Sequence, residues 1–132
     1  MRMKFFLQRP SEAATRDDLA VAQDLLDTLE AHRATCAGMA ANMIGQLKRI
    51  IAVIDTDGAA LLMLNPTIVW GKDAYETYEG CLSLDGMRPA KRFRRIRVSW
   101  QDEDLISHER TFTGTVAEAI QHECDHLDCI LI

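Results

Sequence analysis

The segment that most constrains the fold of this chain lies near its end, Gln121–His126, and reads Q-H-E-C-D-H. Its two histidines are four residues apart and share one face only if the segment is helical. Thr115 and Glu118 have the spacing of a capping box, so the sequence predicts a helix over residues 115–128. H-E-x-x-H on a helix is typical of metal-dependent hydrolases, in which the histidines bind the ion and the glutamate acts as general acid and base.

A metal ion of this kind needs a third protein ligand. Cys129 is seven residues beyond His122, roughly 10 Å along one helix axis, and cannot reach the same ion on a straight helix. The third ligand is therefore expected upstream. Cys81, in the run E-G-C-L-S, is the best candidate because a thiolate binds zinc and ferrous iron well.

The remaining pattern predicts one more helix and a set of antiparallel strands. Thr15 and Asp18 form a capping-box pattern, and apolar residues then recur at helical spacing over residues 16–33. Strands are predicted at Arg49–Ile54, Ala59–Leu64, Thr67–Trp70, Lys72–Glu79, Lys91–Trp100 and Ile106–Phe112, with a break at Asn65-Pro66. The prediction is an α+β fold with antiparallel β-sheets around the motif-bearing helix, in a single domain over residues 1–132.

Composition limits the classes of partner. The formal charge of −5 argues against a general nucleic-acid binder, and the basic cluster within residues 91–97 favours a solvated strand face. The apolar run Phe5–Leu7 is too short for a signal peptide, and no segment is long enough to cross a membrane. Four dispersed cysteines fit a reducing cytoplasm better than a disulfide framework. We therefore expect a cytoplasmic protein without specific nucleic-acid or membrane partners.

Three motifs occur in order: G-M-A-A at Gly38–Ala41, E-G-C-L-S at Glu79–Ser83, and Q-H-E-C-D-H at Gln121–His126. Together they resemble the peptide deformylase family, over roughly residues 36–131. The resemblance implies a deformylase-like fold and one divalent ion, Fe²⁺ or Zn²⁺. It also implies hydrolysis of the N-formyl group of formyl-methionyl peptides on nascent proteins, with weak ribosome association as a family-level expectation.

The resemblance assigns roles to individual residues. Cys81, His122 and His126 would hold the metal, and Glu123 would take a proton from water and return it to the leaving amine. The backbone amide of Leu82 would donate to the developing oxyanion.

Other residues would support the substrate or the loop. Gly38, Met43 and Glu79 are assigned to the substrate side of the site. Arg92 is expected either to pair with Glu79 or to be a plain surface ion. Asp125 is expected either to orient a histidine or to be solvated.

The match departs from the family pattern G-x-G-x-A-A-x-Q at two positions. Cys36 replaces the first glycine, and it either fills that place, restricts the substrate site or reacts with an oxidant. Met43 replaces the glutamine and has no hydrogen-bond donor. Losing one oxyanion donor costs about 10²–10³ in turnover. Asn42 should point elsewhere if the chain is extended there, and Gln46 is a candidate replacement.

The leading hypothesis is a deformylase with a weakened oxyanion site. A related amidase acting on another N-acyl group, and a protein that binds formyl-peptides or metal without turnover, are the two alternatives. The native metal, the effect of Met43 and Cys36 on activity, substrate preference beyond formyl-methionine, and the oligomeric state are left open by the sequence.

Overall fold

A computed structural model describes residues 11–81 and 84–127, without the side chains of residues 81, 84–86 and 88. A 3₁₀ turn at Arg16–Asp18 leads into helix α1, and a second 3₁₀ turn spans Ala41–Ile44. The elements are α1 (Leu19–Ala31), β1 (Gly38–Ala40), β2 (Ile50–Ile54), β3 (Ala60–Cys81), β4 (Leu84–Gln101), β5 (Ser107–Thr113) and α2 (Gly114–Leu127). The predicted α+β class is confirmed.

The strands form one antiparallel sheet in the order β1-β2-β3-β4-β5. Its largest part is the β3–β4 hairpin, in which residues 64–81 pair with residues 101–84. The predicted break at Asn65-Pro66 is wrong: β3 runs through it with a register shift, where pairing with β2 ends and pairing with β4 continues. A bulge tolerates proline, and Asn65 adopts a left-handed φ of 51°, which asparagine accepts more readily than most residues.

The two helices cover opposite faces of the sheet at β2. Ile51 and Val53 pack with residues of α2, whereas Ile50 and Ala52 pack with residues of α1. A strand buried on both faces reads as a continuous apolar run, which explains the sequence of residues 50–54. Within the described ranges no helix is long and apolar enough to span a membrane.

Helix α2 begins at Gly114, one residue earlier than predicted, directly after β5. The capping box predicted for Thr115 and Glu118 is wrong, because Thr115 lies inside the helix and Glu118 faces Tyr75 and Glu79 instead. The box at Thr15 and Asp18 is confirmed, with the Thr15 amide 2.8 Å from Asp18 Oδ2.

A side-chain amide fastens α2 to the sheet. Where β5 stops pairing with β4, Gln121 accepts from the backbone N–H of Phe93 at 2.8 Å and donates to its carbonyl at 2.9 Å. These are the two bonds that a neighbouring strand would make to Phe93. Gln121 thereby sets the rotation of α2 at the residue before His122.

Candidate active site

The two motif histidines converge on one point. His122 and His126 lie on the same face of α2, both buried, with their Nε2 atoms 3.1 Å apart and their ring centroids 4.8 Å apart. Two nitrogens bound to one tetrahedral zinc ion at about 2.0–2.1 Å would lie about 3.3 Å apart. The imidazole pair therefore fits a single shared ion.

A carboxylate fixes the orientation of His122. Its Nδ1 lies 2.7 Å from Oε1 of Glu79, on β3. Since an ionised carboxylate can only accept, Nδ1 carries the proton and Nε2 keeps its lone pair. This is the arrangement in which a histidine is ready to bind a metal.

Glu79 is held in turn by Arg92 on β4. The guanidinium closes on both carboxylate oxygens, with Nε 3.0 Å from Oε2 and Nη2 2.7 Å from Oε1. Both side chains are about 5–6 % exposed. Burial raises the pKa of Glu79, but hydrogen bonds from His122 and Arg92 outweigh it and hold that pKa at about 2. Glu79 is therefore an anion at neutral pH.

Asp125 completes this chain of contacts from the motif helix. Its Oδ2 accepts from Arg92 Nη1 at 2.7 Å, so Arg92 is held by a carboxylate on each side. The structure thus shows Arg92 paired with Glu79 and buried, rather than solvated on the surface. Asp125 supports His122 through Arg92 and Glu79.

Glu123 is buried beside His122, and a glycine makes room for it. A Cβ atom added to Gly38 on β1 would lie 3.3 Å from Glu123 Cγ, 3.1 Å from the Ala52 carbonyl oxygen and 3.0 Å from Val53 Cγ1. A side chain at position 38 would press on Glu123 from the β1 side. A side chain at position 38 would therefore require Glu123 or the adjoining β2 residues to shift by a few tenths of an ångström.

The segment after β1 is a 3₁₀ turn, not the extended chain or plain loop considered from the sequence. Met43 Sδ lies 3.4 Å from the backbone N–H of Ala40 and accepts from it. Asn42 is buried and donates to the carbonyl of His126 at 2.6 Å, so its amide is engaged with α2, although the extended chain on which its predicted orientation depended is not present. Gln46 is exposed and does not line the cleft.

These residues surround an open cleft of about 540 Å³. Its walls come from the segment before and after β1, from the β3–β4 hairpin and from one face of α2. The lining includes Cys36, Gly38, Met43, Tyr78, Glu79, Met87, Thr115, Glu118, Ala119, His122 and Glu123. Cys36 donates from Sγ to the Gly38 carbonyl at 2.9 Å.

Glu118 is a cleft residue that the sequence did not reveal as such. It accepts from the Tyr75 hydroxyl at 3.3 Å and lies against Glu79. The hydrogen bond with Glu79 raises the pKa of Glu118, and burial adds to the shift. Burial and the charge of Glu118 also raise the pKa of Tyr75. The available signal was spacing, since Glu118 precedes His122 by one helical turn.

Two assigned residues lie outside what the structure describes. Cys81 ends β3, two residues after Glu79, but its side chain is not among those described; Leu82 falls in the gap between residues 81 and 84. Among the described side chains, no group of three or more His, Cys, Asp or Glu residues is placed to hold a metal. The structure brings the two histidines together, and the metal-ligand roles of His122, His126 and Cys81 stay predictions.

Comparisons with known proteins agree with this geometry. The family model described as polypeptide deformylase matches residues 6–132. A peptide deformylase of Clostridium beijerinckii is 44% identical over 127 residues, covering 96% of this chain and 93% of the relative. One from Dictyoglomus thermophilum is 36% identical over 113 residues, covering 85% and 72%.

Solved structures agree with the fold. The peptide deformylase of Thermus thermophilus superposes with a TM-score of 0.86 at 32% identity, covering 99% of this chain and 80% of that one. A class I type b peptide deformylase from Acinetobacter baumannii, bound to Met-Ala-Ser, gives 0.82 at 25% identity, covering 96% and 89%. On these matches the chain belongs to the peptide deformylase family, whose members are hydrolases that use one divalent ion, Fe²⁺ or Zn²⁺, to remove the formyl group from formyl-methionyl nascent peptides.

Proposed function

We propose that His122, His126 and Cys81 hold the divalent ion of this deformylase. The observation that carries the proposal is the convergence of the two Nε2 atoms at 3.1 Å, with His122 fixed by Glu79. Cys81 follows Glu79 by two residues on β3 and completes a His₂Cys set that suits either metal. When bound, the ion polarises the formyl oxygen and acidifies a water molecule.

Glu123 is proposed as the general acid and base. It takes a proton from the water whose oxygen attacks the formyl carbon. The carbon–nitrogen bond then breaks, the proton passes to the amine nitrogen, and formate and a free amino terminus leave. Burial of Glu123 against Gly38 holds the carboxylate at the cleft wall beside His122.

The polar contacts to the oxyanion are fewer than the family pattern provides. We assign the Leu82 amide as a donor and the Gly38 backbone as a contact for the peptide. Met43 lines the cleft but donates nothing, and Asn42 is engaged with His126. The proposal is a deformylase whose turnover is reduced, by about 10²–10³ for one missing donor.

We infer that residues 1–132 form one domain that acts in the cytoplasm, with weak ribosome association and without specific nucleic-acid or membrane partners. Support for one domain comes from β2, whose residues belong to both apolar clusters and join the α1 and α2 sides of the described sheet. The acidic net charge of −5 supports the absence of a nucleic-acid partner.

Formate release from a formyl-methionyl peptide, measured without oxygen on Fe²⁺-loaded and Zn²⁺-loaded protein, tests these roles. Glu123→Ala should abolish turnover while leaving the metal bound. Met43→Gln should raise kcat, because it restores a donor beside the reacting carbonyl. Metal-bound protein that releases no formate, either as wild type or as Met43→Gln, would contradict the proposal.

Cys36 and Met43 both line the cleft, which keeps a related amidase as a second candidate. Turnover of acetyl and larger acyl peptides would support this amidase, whereas a strict preference for formyl peptides would exclude it. Tight peptide binding without cleavage would instead indicate a binding protein.

A further inference from the structure

Helix α2 is fastened to the rest of the molecule at both ends of its histidine motif. At the first end, Glu79 on β3 holds the ring of His122 at 2.7 Å. At the second end, the Nδ2 atom of Asn42 donates to the backbone carbonyl of His126 at 2.6 Å. The contact at the first end already has a function in orienting a metal-binding ring, and the contact at the second end reaches the other motif histidine.

Asn42 is a rigid donor because both its backbone and its side chain are held. It lies in the 3₁₀ turn that directly follows β1, and its own carbonyl accepts from the Gly45 N–H at 3.2 Å. Its side chain is fully buried. Strand β1 is paired with β2 in the sheet. The hydrogen bond therefore ties the second histidine to the sheet, across a separation of 84 positions in the chain.

Packing alone does not account for an amide at position 42. The Oδ1 atom of Asn42 is buried and has no hydrogen-bond partner within the part of the chain that the structure describes. Burying an amide oxygen without a partner is unfavourable, so an apolar residue of similar size would pack at a lower cost. The favourable contribution of Asn42 comes from the donor at Nδ2, which is directed at the carbonyl of His126.

The contact with Asn42 acts on the separation between two imidazole rings. Their Nε2 atoms are 3.1 Å apart, and this distance depends on where the backbone of each histidine lies. His122 is additionally held through its ring by Glu79. His126 lies in the last described turn of α2, and a shift of that turn would move its ring away from the ring of His122.

We propose that Asn42 is a positioning residue for the metal site, which fixes the backbone of His126 so that its ring meets the ring of His122 at one ion. Asn42 acts through the His126 carbonyl and is not itself a ligand. The inference rests on the proposed function, because it assumes that both histidines bind the ion.

The test compares the zinc affinity of Asn42→Ala with that of the wild-type protein, by competition with a chromogenic chelator. Asn42→Ala should lower the affinity by about 10-fold, the smaller end of the range for removing a contact that supports a metal ligand. The visible absorption bands of bound Co²⁺, which depend on ligand geometry, should change with it. Asn42→Ser keeps a donor on a shorter side chain and should lose less affinity, and it decides the question if Asn42→Ala does not fold.

Asn65→Ala is the matched control. Asn65 also donates its side-chain amide to a backbone carbonyl that is distant in the sequence, that of Ala14 at 3.0 Å. Its substitution should lower the midpoint of urea unfolding but leave the zinc affinity and the Co²⁺ bands unchanged, because the contact does not involve either motif histidine.

A merely structural role for Asn42 would lower the urea midpoint while the folded variant kept wild-type zinc affinity and Co²⁺ bands, and that result overturns the proposal. Equal losses of affinity in Asn42→Ala and Asn65→Ala also overturn it, because affinity would then follow stability rather than the position of His126. Wild-type protein that binds no zinc contradicts the proposed metal site, and the role of Asn42 falls with it. Wild-type protein that binds zinc but releases no formate contradicts only the proposed hydrolysis, and the affinities still decide the role of Asn42.

Discussion

Two arginine–glutamate pairs in this molecule have almost the same geometry and opposite surroundings. Arg92 meets Glu79 with Nε–Oε2 and Nη2–Oε1 distances of 3.0 and 2.7 Å, and Arg33 meets Glu30 with 2.9 and 2.6 Å. The first pair is 5 and 6 % exposed, whereas the second is 39 and 51 % exposed at the end of α1. Their contact distances alone would rank them as equals.

The difference lies in what replaces each contact when it is lost. Water solvates Glu30 and Arg33 whether or not they touch, so their pairing adds little to stability. Glu79 and Arg92 are almost fully buried, so removing one leaves the other charge poorly solvated. The buried pair also orients His122, which gives it a function that the exposed pair lacks.

The largest effect should come from Arg92→Met. It leaves Glu79 and Asp125 without their shared cation, and we expect a loss of about 3–5 kcal/mol in the free energy of unfolding. Urea denaturation measures it. The double variant Arg92→Met/Glu79→Leu should recover part of the loss, because fewer unmatched charges stay buried. A loss no larger than that of Arg33→Met would show that burial does not separate the two pairs.

The next largest effect is expected on metal affinity, from Glu79→Gln. The amide oxygen can still accept from His122 Nδ1, but without a negative charge it makes the imidazole a weaker ligand. We expect zinc affinity to fall by about 10–100-fold. Competition with a chromogenic chelator gives the affinity, and Glu30→Gln provides the control. Equal zinc affinities in the two variants would show that Glu79 does not contribute to metal binding.

Acid titration separates the pairs by a smaller effect. The folded-state pKa of Glu79, about 2, lies below the ordinary value of 4.5, so its stabilisation is complete above pH 4.5 and is lost as pH falls towards 2. Glu118 has a raised pKa and acts above this window. In metal-free protein, Glu79→Gln should flatten the decline in unfolding free energy between pH 4.5 and 2. Glu30→Gln should leave that decline almost intact, and equal flattening would contradict the assignment.

The smallest effect is expected for Arg33→Met. Its pair with Glu30 and its bond to the Gly58 carbonyl are exchanged for water at an exposed surface. The midpoint of urea unfolding should show no measurable shift. A destabilisation close to that of Arg92→Met would contradict the proposed difference between the exposed and the buried pair.

What the sequence predicted well is encoded locally. The shared face of His122 and His126 follows from a four-residue spacing, and the cap at Thr15 follows from a three-residue one. The apolar run of residues 50–54 predicted the strand found there. The pairing of Glu79 with Arg92 came from the family resemblance, because thirteen residues separate them.

What it missed depends on partners distant in sequence. Glu118 has capping-box spacing from Thr115 but turns to Tyr75, 43 residues away. Asn65, at the predicted break, bonds both backbone groups of Ala14, 51 residues away, a contact that no local break signal conveys. Local pattern specifies the conformation of a residue, whereas its partner is chosen by tertiary packing.

The Gln121 clamp on Phe93 joins parts of the site that come from different elements of the fold. An isolated helix forms in about 0.1–1 μs and a hairpin in about 1–10 μs, so the two histidines can become neighbours before β3 and β4 have paired. Glu79 and Arg92 lie on β3 and β4, so they reach the histidines only when α2 docks on the sheet, where Gln121 bonds Phe93. A metal ion present while the chain folds would therefore meet a half-built site of two imidazoles first, and the carboxylate that holds His122 in place would arrive afterwards.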